Sequence, residues 1–138
     1  MRATPRSREY APLGLRLILM AGLAWLLAAP GQSFGQSAAC ENAQSTAAMR
    51  QCEIARLKRA SEAMDGAYRK LAAKLDARGR AKLQAAQDAW LKYRAAEADY
   101  QADSARDGTL APLIAASVQA DMTEARGKEL DKADRQLQ

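Results

Sequence analysis

After residue 40, apolar positions recur at helical spacing in three separate runs. From about Cys52 to Leu75, the residues Ile54, Leu57, Met64, Tyr68, Leu71 and Leu75 fall three, four or seven apart and line one helix face. Asp76-Ala77-Arg78-Gly79 interrupts this pattern, and Gly79 suits a left-handed C-terminal cap. So short a connection predicts that the next helix is an antiparallel neighbour. That helix runs from about Arg80 to Ser104. Leu83, Ala86, Trp90, Tyr93 and Glu97 fall on adjoining rows, with Trp90 expected as the largest core side chain and Gln87, Arg94 and Glu97 as a polar seam beside the stripe. In the loop that follows, Asp107-Gly108 signals a turn, Thr109 is a candidate N-cap, and Pro112 fits the first turn of a third helix. The third helix extends to about Leu137, with Leu113, Ile114, Val118, Met122 and Leu130 on its apolar face; Thr123 and Arg126, three apart, share a face. The segment Glu41 to Gln51 is expected to form one short extra turn capped by Thr46. The pattern predicts an all-α fold: an antiparallel bundle of three long helices with a short N-terminal segment pinned to its front.

Composition supports helix over sheet. Much of the 49% hydrophobic share is Ala, Phe occurs once, and Lys, Arg, Glu and Gln are plentiful. The core of so small a domain is modest, and a cross-link helps it. Cys40 and Cys52 are the two cysteines. In an exported chain they most simply pair with each other, fixing residues 41–51 against the start of the first long helix. Two thiolates without His make half a zinc site, and the spacing is not C-x-x-C, so neither a metal site nor a redox pair is expected.

The first 35 residues have the layout of a secretory signal. Arg2, Arg6, Arg8 and Arg16 precede the apolar run Leu17 to Ala29; Pro30 and Gly31 break it, and Ser33 and Gly35 place cleavage before Gln36. Cleavage near Ala38 or Ala39, a retained anchor, and a lipoprotein acylated at Cys40 are the alternatives. The uncharged run is shorter than the ~20 residues that span a bilayer. The expected division is residues 1–35 as signal and 36–138 as one helical domain, placed in the periplasm or secreted, with no membrane span left after cleavage. Four Arg and Glu9 carry +3 of the +5 total, so +2 remains from Gln36 onward. That is too little to argue for nucleic acid or a polybasic membrane patch.

His is absent, which excludes Ser–His and Cys–His nucleophile pairs and removes the commonest metal ligand. There is no Gly-rich phosphate loop and no nucleophile motif, and Glu97 and Asp99 point to different helix faces. No cofactor, metal or catalytic residue is expected, and the chain is not expected to be an enzyme.

The stretch Leu83-Gln84-Ala85-Ala86-Gln87-Asp88-Ala89-Trp90-Leu91-Lys92-Tyr93-Arg94 resembles the "L-x-x-A-Q-x-A-W-x-x-Y/F-R" signature of the lysozyme inhibitor LprI-like N-terminal domain family. Cys40, Thr46, Met49, Cys52 and Tyr68 upstream are similar to the family pattern. So are Gly108, Pro112 and the "T-x-x-R-x-x-x-L" run Thr123 to Leu130 downstream. Members often carry a second Cys pair at positions that correspond to Ala98 and Val118; here both are absent together, so packing is expected to replace that bridge. Met64-Asp65 stands where Leu-Asn is usual, and Ser61 where Asp is usual. The resemblance implies an envelope or secreted helical module that binds a protein partner. Lysozyme inhibition by occlusion of the substrate cleft is the first function it suggests, and an envelope structural or adaptor role without lysozyme activity is the alternative. Gln87, Trp90, Arg94, Thr123 and Arg126 are the family-motif residues. They form either a recognition patch or an internal network with Arg94 or Arg126 paired to Glu97, and Trp90 is either a partner anchor or core. A mature chain that is near neutral and slightly basic offers no acidic excess to attract a basic lysozyme. Arg69 to Lys82 is expected to be solvated surface.

Overall fold

The computed structural model describes residues 40–137, and the expected leader lies outside them. Three long helices carry the fold: α1 (Thr46–Lys74), α2 (Ala77–Ala102) and α3 (Ala111–Gln136), with one 3-10 turn at Asp103–Ala105 between the last two. No strand occurs among the described residues. Cross-helix pairs fix the directions. Arg56 meets Glu124 and Lys74 meets Asp134, so α1 and α3 run parallel. Arg94 meets Thr123 while Gln87 meets Arg126, so α2 runs antiparallel to α3.

The ends of the helices correct several expectations. Ser45, not Thr46, caps α1: its backbone is extended and its hydroxyl accepts from the Ala48 N–H at 3.1 Å. No breaker separates residues 46–51 from the run that follows, so the expected extra turn is simply the start of α1. Cys40 is bonded to Cys52 inside α1, with Cα atoms 5.6 Å apart. Closing a loop of about 15 residues is worth roughly 3 kcal/mol in the chain-entropy picture. Gly79 is not a C-cap. Leu75 ends α1 with an extended backbone, and Asp76 starts α2 by accepting from the Gly79 N–H at 2.7 Å. At the α2–α3 turn the left-handed residue is Asp107 (φ 64°), a conformation short polar side chains tolerate. Thr109 does not cap α3. Leu110 precedes it without a side-chain cap bond, and Pro112 lies in the first turn as expected.

Packing is tightest between α1 and α3. Their buried positions are Ala60, Met64, Ala67 and Leu71 on α1 and Ala116, Ala120, Thr123, Gly127 and Leu130 on α3. Both sets alternate steps of four and three, the spacing that keeps a seam facing a partner helix. Small residues let the backbones approach: a Cβ on Gly127 would sit 3.5 Å from Met64 Cα. The larger Leu113, Ile114, Val118 and Met122, expected in the core, flank this seam half-buried, and Ile54 is 40% exposed.

The inner face of α2 also differs from the expected stripe. Leu83, Gln87, Trp90, Arg94 and Ala98 turn inward, whereas Ala86 is exposed and Tyr93 is 56% exposed. The polar seam is therefore itself the contact face. Met64, Ala67, Leu71 and Leu130 form the apolar cluster, and Tyr68, Leu75, Leu83, Trp90 and Ala133 pack against it. Trp90 sits at the edge of that cluster rather than at its centre.

Candidate functional site

The motif residues of α2 and α3 come together around the indole of Trp90. Steps of three and four place Gln87, Trp90 and Arg94 on one face of α2, opposite Thr123 and Arg126 on α3. The Arg94 guanidinium carbon lies over the Trp90 ring at 5.3 Å from its centroid, and that of Arg126 at 5.9 Å. Both distances are within cation–π range. Arg94 Nη1 donates to Thr123 Oγ1 at 2.8 Å, and that hydroxyl donates in turn to the Gln119 carbonyl at 2.6 Å. Arg126 Nε donates to Gln87 Oε1 at 3.1 Å, and Gln87 Nε2 donates to Met64 Sδ at 3.3 Å. Gln87 thus links all three helices. Thr123 is completely buried and Gln87 nearly so.

The expected pairing of Arg94 or Arg126 with Glu97 does not occur. Glu97 accepts from Gln101 at 2.8 Å, and Arg126 reaches Glu129 at 3.0 Å. Among the described residues Arg94 forms no ion pair, and its Nε is buried without a hydrogen-bond partner. Burial pushes the Arg94 guanidinium down from its ordinary range, partly offset by the charge of Asp65. The expectation assumed that an Arg at a buried edge needs a carboxylate. Here an aromatic face and one hydroxyl take that place, because Arg94 reaches across to α3 instead of along its own helix.

A second cluster was missed in the sequence. Arg56 on α1 gathers Glu53 at 2.9 Å, Glu124 at 2.8 Å and Asp121. These hydrogen bonds hold the Glu124 carboxyl below its usual range. A charge on a helix surface looks the same in sequence whether or not a partner helix lies beside it; only the α1–α3 register distinguishes Arg56 from its neighbours.

Among the described residues no group of His, Cys, Asp or Glu is arranged to hold a metal ion. The Trp90 cluster is a set of cross-helix hydrogen bonds and stacked cations in which Arg94 Nε alone is left without a partner, with no activated nucleophile and no acid–base pair among the described residues. The molecule is a disulfide-pinned three-helix module whose polar core cross-links its helices. A family model described as lysozyme inhibitor LprI matches residues 37–130, and the chain belongs to that family. The match takes in α1, α2 and most of α3. A search of the curated proteins found no match, and a search of the solved structures found none.

Proposed function

We propose that this is an exported protein that binds lysozyme and inhibits it by covering the substrate cleft with a rigid helical surface. The observation that carries the proposal is the family match over residues 37–130, which spans the disulfide and the whole Trp90 cluster. Export through a signal at residues 1–35 fits the Cys40–Cys52 bond, since such bonds persist in oxidising compartments. Among the described residues no helix is long and apolar enough to cross a membrane. Gln87, Trp90, Arg94, Thr123 and Arg126 act within the module as the lock that holds α2 on α3, because Arg94 bonds Thr123 and Arg126 bonds Gln87 across the two helices, both guanidinium groups lying over Trp90.

A turbidity assay on a peptidoglycan suspension, with lysozyme and the purified processed protein, tests the inhibitor role. Undiminished lysis at micromolar protein rejects it and leaves the envelope adaptor role. Intact mass before and after reduction reads the N-terminus, any acyl group and the disulfide in one measurement. An N-terminus at Met1 would reject export by cleavage.

A further inference from the structure

Near-neutral net charge conceals a strong separation of charge along the bundle. Because α1 and α3 are parallel and α2 opposes them, residues 41–56 and 97–124 belong to one end. That end carries eight carboxylates against three guanidinium groups, while the remaining described residues carry fourteen cations against seven carboxylates. Three of the eight, Glu53, Asp121 and Glu124, share the single charge of Arg56, and Asp103 pairs with Arg106. Glu97, Asp99 and Asp107 form no ion pair among the described residues.

The apolar surface is uneven in the same direction. Among the described residues, four of the seven exposed large apolar side chains lie at the acidic end: Met49, Ile54, Tyr100 at 76% exposure and Leu110 at 52%. The seam beneath them is built from Ala98, Ala116 and Ala120, whereas Met64, Leu71 and Leu130 fill the opposite end. Exposed apolar side chains set among unpaired charges of one sign are the makings of an interface with a partner of opposite charge.

We infer that this acidic end, centred on Tyr100 and the α2–α3 turn, is the docking surface for a cationic protein. The inference rests on the lysozyme-binding reading and names the face that such a partner meets. It also resolves the difficulty of a mature charge of only +2: the partner meets local charge, not the molecular total. Opposite potentials raise the association rate, and an exposed aromatic is the residue type that sustains a complex once formed.

The test uses the processed protein, a basic c-type lysozyme as probe, binding kinetics at two salt concentrations, and the turbidity assay. Asp99→Asn, Asp103→Asn and Asp107→Asn are combined in one variant. Asn tolerates the left-handed backbone at 107, so the fold is kept. This variant is expected to associate about tenfold more slowly at low salt, with a weaker salt dependence. Tyr100→Ala is expected to raise Kd about tenfold or more, mainly through faster dissociation. Arg78→Gln with Lys82→Gln, at the basic end, leaves Kd within about twofold. Full binding and inhibition by the triple Asn variant and by Tyr100→Ala overturns the docking surface while leaving the inhibitor reading intact. Binding through this end without inhibition supports the surface and overturns the inhibitor reading. Absence of binding by the wild-type protein overturns both. Sedimentation of the protein alone adds one outcome: salt-sensitive oligomers that the triple variant abolishes would overturn the proposal in favour of head-to-tail contact between copies.

Discussion

Replacing Thr123 with Val removes one hydroxyl from a fully buried position while nearly keeping its shape. That hydroxyl accepts from Arg94 Nη1, whose neighbouring Nε already has no partner. The substitution therefore withdraws a bond made by a charged group and adds to a desolvation that already pushes Arg94 down. Hydrogen bonds to charged groups contribute about 1.5–3 kcal/mol, so a loss of about 2 kcal/mol is expected. For a domain of this size that lowers Tm by roughly 8–16 °C. The assay is urea and thermal unfolding followed by helical circular dichroism and by fluorescence; in protein prepared from Gln36 onward, Trp90 is the one indole and reports from inside the cluster. A double-mutant cycle with Arg94→Met isolates the coupling, because Met keeps an apolar stem beside the ring and needs no acceptor. The double variant is expected to be no less stable than Thr123→Val alone. Stability of Thr123→Val within about 0.5 kcal/mol of wild type, the usual scatter of surface changes, would refute the argument that Arg94 depends on this hydroxyl.

Other outcomes follow from the same packing. Reducing the Cys40–Cys52 bond, or replacing both residues with Ser, costs about 3 kcal/mol by the loop-closure estimate, measured as a lower urea midpoint. Ala98→Cys with Val118→Cys is expected to form a second disulfide on air oxidation, since the register that pairs Arg94 with Thr123 sets residue 98 near 118; two free thiols by mass would contradict that register. Gly127→Ala is expected to be neutral or to stabilise by about 0.5–1 kcal/mol, because the new methyl meets Met64 at ordinary contact and glycine is a poor helix former; Gly127→Leu forces α1 and α3 apart and lowers Tm. Glu124 is held below its usual range by Arg56, so its contribution is present at neutral pH and is lost as pH falls below about 4 through its lowered folded pKa. The side chains are partly exposed, so the effect stays within about 1 kcal/mol, and Glu124→Gln is expected to flatten the acid limb of a stability–pH curve.

The helices themselves were legible because apolar spacing and Ala-rich composition both point to helix. Pro112 and Asp107 marked the last turn correctly. The caps were less legible: Ser45 and Thr46 are chemically equivalent candidates, and Gly79 fits either the end of one helix or the first turn of the next. Orientation of α2 was the larger miss. Tyr93 is apolar and falls near the stripe, yet it faces solvent, while Gln87 and Arg94 face inward. Periodicity ranks residues by hydropathy, and here the inner face is polar because Gln87 finds Met64 and Arg126, and Arg94 finds Thr123, across helices. The motif residues were found by resemblance, but their partners were not: Glu97 is the acid nearest Arg94 in sequence, whereas Arg94 bonds Thr123 and Arg126 bonds Gln87 and Glu129. The separation of charge between the two ends was invisible to a net charge and emerged only when chain direction was known.

The parallel pairing of α1 with α3 has a consequence for the order in which the fold can be completed. The surface that α1 must cover is supplied by α3, which starts at Ala111, long after α1 begins at Thr46. A nascent chain that stops before Ala111 holds two helices with little to bury against each other. Such a chain stays open until its C-terminal segment has been made, and only then closes.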